Sequence, residues 1–153
     1  MGFTIRNAES GDYSGVKRIM DQVQQMHVDW RPDIYRHNDE FVSEEDFEQM
    51  VNSGDLYVAV ESERIVGVLE IAYRHVETPA HVTRDVVFID TMAVDSDYRG
   101  RGVGRLFFAK VKELKDAAGA DGIELQVNAK NRDAYRFYRK HGFTEKSINM
   151  ELL

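Results

Sequence analysis

The stretch DYRGRGVGRLFF, from Asp97 to Phe108, closes an apolar run and opens a helical pattern. Gly100, Gly102 and Gly104 stand at alternate positions in it, interleaved with Arg99, Arg101 and Arg105. Glycine costs about 1 kcal/mol relative to alanine inside a helix, so three at a helix start require a reason. The first helical turn has N–H groups without partners, and the helix dipole adds roughly half a positive charge there. Glycines remove the Cβ atoms that would hold an anion away, and arginines supply full charge. The stretch reads as a phosphate cradle suited to a pyrophosphate; a merely tight strand–helix connection is the plain alternative. Two familiar cradles do not match. No lysine followed by Ser or Thr closes the loop, and Arg105 stands where a dinucleotide fingerprint needs its third glycine.

Working outward, 86–94 (VVFIDTMAV) before the glycines is a nearly continuous apolar run, as in a strand buried on both faces. After them, a helix over 103–118 is expected to turn Val103, Leu106, Phe107, Val111 and Leu114 inward. Residues 123–127 read as a strand, and a further helix is stopped by Gly142. Upstream, residues 3–6 form a first strand. Val16, Ile19, Met20, Val23 and Met26 then recur at helical spacing, until Pro32 ends that helix. Ser43 caps a second helix with Asp46 three residues on and Gly54 as its stop. LYVAV and IVGVLEIAY, separated by ESER, read as a hairpin. Residues 75–85 are expected to be a loop or lid, and 148–153 (INMELL) a last strand. The strand–helix–strand unit around 86–127 permits a parallel pair with a right-handed crossover. The fold expected is α/β with α+β character: a mixed, largely antiparallel central sheet holding one parallel strand pair, with helices on both faces, in a single domain over 1–153.

Composition bounds the function. A chain of 153 residues, 42% hydrophobic and 31% charged, reads as a globular protein. No apolar run reaches the ~20 residues a membrane span needs, and the start MGFTIR lacks a signal core, so a cytoplasmic protein is expected. The absence of cysteine removes thiolate metal sites and a sulfur nucleophile. Five scattered histidines show no metal-ligand spacing, so no metal is expected. Net charge is −7, unevenly spread: residues 1–98 hold 8 Lys/Arg against 20 Asp/Glu, and 99–153 hold 12 against 7. Such halves suit two differently charged partners or an ordinary solvated surface, and argue against nucleic acid.

IDTMAVDSDYRGRGVGRLFF resembles the signature of the GNAT superfamily of acyl-CoA-dependent N-acyltransferases. Its Q/R-x-x-G-x-G/A core is met by Arg99, Gly100, Arg101, Gly102, Val103 and Gly104. A second block is similar to the family's N-x-x-A-x-x-F-Y-x-x-x-G-F run through Asn131, Ala134, Phe137, Tyr138, Gly142 and Phe143. The opening FTIRNAESGDYSGV resembles the family's first strand and helix, so the likeness covers essentially the whole chain.

The resemblance implies the GNAT fold and acetyl-CoA as co-substrate. The backbone of Met92, Ala93 and Val94 would hold the pantetheine arm and acetyl group, the Arg99–Gly104 loop the pyrophosphate, and Asn131 would touch the cofactor. Tyr138 matches the tyrosine close to the thioester sulfur, a general acid that stays protonated at neutral pH. Without cysteine, direct attack by an amine in a ternary complex is favoured over an acyl-enzyme. Asp90 and Glu70 interrupt apolar strands, where desolvation would raise a carboxylate toward a useful base. Family members often carry a carboxylate, more often glutamate, where Asp90 stands, so Asp90 would work through a water; either group could equally be a structural polar residue. Trp30 and Tyr35 lie in a region that commonly frames the acceptor, as does the 75–85 loop. Asp29, Asp33, Asp39 and Glu40 nearby could attract a cationic amine.

The expected activity is therefore transfer of acetyl to a primary amine of a small molecule or peptide. A catalytically silent acyl-CoA-binding module of the same fold is the alternative, and a binder of another nucleotide a third. Dimerisation is common in the superfamily and leaves a homodimer open.

Overall fold

The computed structural model describes residues 2–153. Five strands, β1 (Thr4–Asn7), β2 (Leu56–Glu61), β3 (Arg64–Thr78), β4 (His81–Val94) and β5 (Gly122–Leu125), form one sheet in chain order. The first four are antiparallel neighbours, and β4 and β5 run parallel. The expected mixed sheet with one parallel pair is the one found. Helices α1 (Tyr13–Trp30) and α2 (Glu44–Ser53) cover one face, and α3 (Val103–Ala118) covers the other. Helix α4 (Arg132–Lys140) follows β5.

Alternation along β3, shifted by one residue at a bulge at Val66, divides the core between these layers. Ile65 and Val68 pack with Val16, Ile19 and Phe47, whereas Val66, Leu69 and Ile71 pack with Val103, Phe107 and Val111. Phe107 is wholly buried, which contributes about 1.5–3 kcal/mol by apolar burial. Its ring lies so close to β3 that a Cβ on Gly67 would stand 2.7 Å from it. Local signals hold as read: the Ser43 hydroxyl accepts from the Asp46 N–H at 3.1 Å, and Gly54 ends α2 at φ 77°. In the β2–β3 turn Ser62 and Glu63 take left-handed backbone, at φ 47° and 69°.

Four expectations are corrected. Residues 75–85 are no loop: β3 runs to Thr78 and β4 starts at His81. The polar composition hid a hairpin held by cross-strand pairs, with His75 against Asp85 at 2.7 Å and the Arg74 guanidinium 3.5 Å from the Phe88 ring centroid. Leu106 is exposed, because the buried stripe of α3 steps by four through Val103, Phe107 and Val111. Residues 148–153 form no strand. The run 86–94 is buried through Val86–Ile89 only, the part flanked by strands on both edges.

Candidate active site

The parallel pairing of β4 with β5 stops at Ile89 and Leu125. β4 continues to Val94 along β3, while the chain after β5 turns away toward α4. The gap between them widens into a cavity of about 600 Å³. Its walls are the end of β4 at Met92–Val94, the glycine turn, α4, and the second half of α1.

Backbone N–H groups alternate sides along a strand. That of Asp95 goes to the Val66 carbonyl on β3 at 2.8 Å, so those of Met92 and Val94 face the gap. The Val94 carbonyl points the same way and accepts from Arg99 Nε at 3.2 Å.

The glycine turn hangs from Asp95, which is 1% exposed. Its carboxylate accepts from Arg18, from Arg64 Nη2 at 3.2 Å and from the Asp97 N–H at 3.1 Å, while its carbonyl accepts from the Tyr98 N–H at 2.8 Å. Burial alone would push this carboxyl up; the Asp97 amide, Arg18 and Gln22 outweigh it and hold it at about 2. Gly100 and Gly102 then take φ of 78° and 92°, a region costly for other residues. The first bond of α3 runs from the Leu106 N–H to the Gly102 carbonyl, so the amides of Val103, Gly104 and Arg105 have no helical acceptor. Arg99 and Arg105 line the cavity with Lys130, Arg132 and Lys140. Arg101 does not; it is exposed, with its guanidinium 4.9 Å from the Tyr98 ring centroid.

On α4, Phe137 and Tyr138 both line the cavity. Burial pushes the Tyr138 hydroxyl up to about 12. Asn131 lines it too while capping the helix, its Oδ1 accepting from the Ala134 N–H at 3.2 Å.

The two carboxylates part company. Asp90 is exposed, because it is the extra residue of a β-bulge: Glu70 pairs with Thr91, and Ile71 with Ile89. The desolvation expected for Asp90 is therefore not found. Glu70 is half-buried, and burial first, then the charges of Asp90 and Asp55, push its carboxyl up. Neither carboxylate lines the cavity; both flank the β4 segment that does.

Trp30 lines the cavity and Tyr35 does not. His27 connects them, 5.5 Å from the Trp30 ring and 4.9 Å from that of Tyr35. His27 is a cavity residue the motifs did not reveal, although the α1 stripe of Val16, Ile19, Met20 and Val23 continues through Met26, His27 and Trp30. Of the nearby acids, Asp29 accepts from Gln25, Asp33 pairs with Arg31, and Asp39 meets His37. Among the described residues, no group of three or more His, Asp or Glu could hold a metal ion, and no helix is long and apolar enough to cross a membrane.

Residues 20–143 match the model of a family described as the acetyltransferase (GNAT) family. A mutant form of a Bacillus halodurans protein superimposes with a TM-score of 0.90 at 32% identity, over 98% of each chain. An aminoglycoside N-acetyltransferase solved with CoA superimposes with a TM-score of 0.77 at 17% identity, over 99% of this chain and 94% of that one, a likeness of fold. Among curated sequences, the aminoalkylphosphonate N-acetyltransferase of Salmonella typhimurium is 30% identical over 88 residues, 58% of this chain and 55% of the relative. The chain spans between about a quarter and just over half the length of the curated relatives it matches.

Proposed function

Because the chain belongs to the acetyltransferase (GNAT) family, we propose that it moves an acetyl group from acetyl-CoA to a primary amine of a small molecule or peptide, by direct attack within a ternary complex. The observation that carries this reading is the gap between β4 and β5, which presents strand amides, an unbonded helix start and a half-buried tyrosine to one cavity. The cavity fits the co-substrate on chemical grounds. Two glycines at positive φ open the turn, with no atom within 4 Å of where a Cβ would stand, and four arginines and lysines besides Arg99 border it. Such a cradle suits phosphates, and the Met92–Val94 edge suits an amide-bearing arm.

Acetyl-CoA supplies an activated acyl group on a thiol that leaves readily. The chain's own residues supply the rest. The N–H groups of Met92 and Val94 donate to oxygens of the bound arm and thioester; one donor to a developing oxyanion is worth roughly 3 kcal/mol elsewhere. Tyr138, at about 12, keeps its proton at neutral pH. Full transfer to a thiolate of ordinary pKa near 8.5 would run uphill, so Tyr138 acts chiefly as a hydrogen-bond donor to the sulfur as it gains charge. Glu70, half-buried and with its carboxyl raised, is the better-matched acceptor of the amine's proton, and Asp90 contributes through its charge on Glu70. Trp30 and His27 frame the acceptor end.

The test is release of free thiol from acetyl-CoA across a panel of primary amines. One or more amines should accelerate it, and Tyr138→Phe should lower kcat by about 10–100-fold with little change in KM for acetyl-CoA. Release that no amine accelerates, with acetyl-CoA still bound, would leave the silent binding module in place of the enzyme.

A further inference from the structure

Of the three arginines between residues 44 and 98, Arg64 is paired with Asp95 and Arg84 with Glu124. Arg74 makes no ion pair and no hydrogen bond among the described residues. It is exposed, and its guanidinium carbon lies 3.5 Å from the centre of the buried Phe88 ring. At that distance the two planes are roughly parallel, because an N–H aimed at the ring would hold the carbon farther off. The ring therefore covers one face of the guanidinium and leaves its N–H edges free to donate. The acids of this end of the sheet are already engaged. Glu124 shares the face of Phe88, with which it pairs, but Arg84 at 2.6 Å and Lys146 at 2.9 Å hold it. Asp85 and Glu77 both meet His75, at 2.7 and 3.2 Å.

Glu70, Ala72 and Arg74 stand two apart on β3 and so share a face. It is the face of α1 and α2, because Val68 precedes them in the same alternation and packs there. Phe88 pairs with Ala72, so in lying over that ring the Arg74 head leans back along β3 toward Glu70. Four residues of strand, about 13 Å, separate the two Cα atoms, and only two, about 7 Å, separate Glu70 from the level of Phe88. The floor between the charges is Ala72 and Phe88. One end of the strip is negative, at Glu70 with Asp90 close enough to act on it, and the other end is positive. With about 3 Å of hydrogen bond at each end, a gap of this order is bridged by a chain of about two or three carbons.

We infer that the ligand recognised beside Glu70, the acceptor of the proposed reaction, is a short zwitterion with its amine at Glu70 and its carboxylate or phosphate on the free edge of Arg74. This rests on the reading of Glu70 as acceptor of the amine's proton, and narrows the substrate from any primary amine to one that carries an oxyanion a short chain away. A guanidinium held against a ring is pre-organised to grip such a group with two parallel hydrogen bonds. A diamine would bring its second positive charge against Arg74 and be rejected.

Two assays on the full chain test this, with β-alanine, 4-aminobutyrate and O-phosphoethanolamine as zwitterions and propylamine and 1,3-diaminopropane as comparators. Calorimetry in the presence of CoA reads binding, and thiol release from acetyl-CoA reads turnover. At least one zwitterion should bind about tenfold or more tightly than either comparator and turn over with a kcat/KM higher by a similar factor. The two carboxylates set against the phosphate ester identify the oxyanion. Arg74→Gln should abolish the preference, chiefly by raising the zwitterion's KM and not by lowering kcat, and Arg74→Lys, which keeps the charge without the fork, should restore part of it. Comparators that bind as well as every zwitterion overturn the proposal, and so does a preference that survives Arg74→Gln. Zwitterion binding that depends on Arg74, without thiol release accelerated by any amine, would uphold the site and overturn the reaction proposed for it.

Discussion

Replacing Asp95 by asparagine tests how the glycine turn is held. The substitution keeps shape and one acceptor, but turns an NH2 toward Arg18 and removes the charge that Arg18 and Arg64 face. A carboxyl held at about 2 against an ordinary 3.8 stabilises the fold by at most about 2.5 kcal/mol at neutral pH. The arginine side chains are 34% and 47% exposed, so solvent screening cuts this to about 1–2 kcal/mol. The mismatched donor adds about 1–2 kcal/mol, for a total of about 2–4 at pH 7. The two parts separate by pH. A depressed carboxyl stabilises fully above its unfolded pKa and loses that stability as pH falls through its folded one. The charge component therefore persists from pH 7 to about 5, is roughly half gone by pH 3 and vanishes below about 2. Urea unfolding of both proteins at pH 7, 5 and 3 should show a gap constant between the first two and narrower by about 0.5–1 kcal/mol at the third. A gap at pH 3 equal to that at pH 7 would refute the argument from charge. Because the turn starts at Asp95, KM for acetyl-CoA should rise as well.

Two of the three arginines of the glycine stretch should behave differently: Arg101→Ala, which loses only the Tyr98 face, should leave KM for acetyl-CoA within about twofold, whereas Arg105→Ala should raise it about tenfold, as steady-state kinetics will report. Gly102→Ala should cost about 1–2 kcal/mol in urea unfolding, since its Cβ meets no atom within 4 Å and the whole cost is the backbone at φ 92°. The acid limb of the kcat/KM pH profile should follow Glu70, disappearing in Glu70→Gln. In Asp90→Asn it should move to lower pH, because removing a neighbouring negative charge lowers the Glu70 pKa; a limb unmoved by either change would sink the assignment of Glu70 as base.

The glycine turn and the cavity proposed for the donor were legible because they depend on local backbone chemistry. Glycines at positive φ, a helix start and a capping Asn131 are written in neighbouring residues, and the Arg99–Gly104 and Asn131–Tyr138 blocks line one cavity, Arg101, Tyr135 and Arg136 apart. The side proposed for the acceptor was not, because burial is a tertiary property. Asp90 and Glu70 interrupt equally apolar runs, yet the bulge exposes one and leaves the other half-buried. Residues 75–85 failed for a related reason: their strands are stabilised by polar cross-strand pairs such as His75 with Asp85, which leave no alternating apolar pattern. His27 carried no motif at all, and only the continued stripe of α1 points to it.

The bulge at Asp90 also accounts for the two-sided character of the site. Residues paired across antiparallel strands share a face, so Glu70 and Thr91 lie with Val68 and Ala93, on the side of α1 and α2. Val87 and Ile89 face α3, and so do Met92 and Val94. Odd and even positions can share that face only because Asp90 inserts one residue between them. A strict alternation would have turned Met92 and Val94 to the other layer and sent their amides toward β3. With the insertion, their amides open onto the gap and their side chains join the layer of the glycine turn, while Glu70 remains across the sheet. Under the proposed reaction, donor and amine then approach the same edge of β4 from opposite faces. The position of Asp90 in the chain matters to that arrangement through its backbone, whatever its carboxylate does.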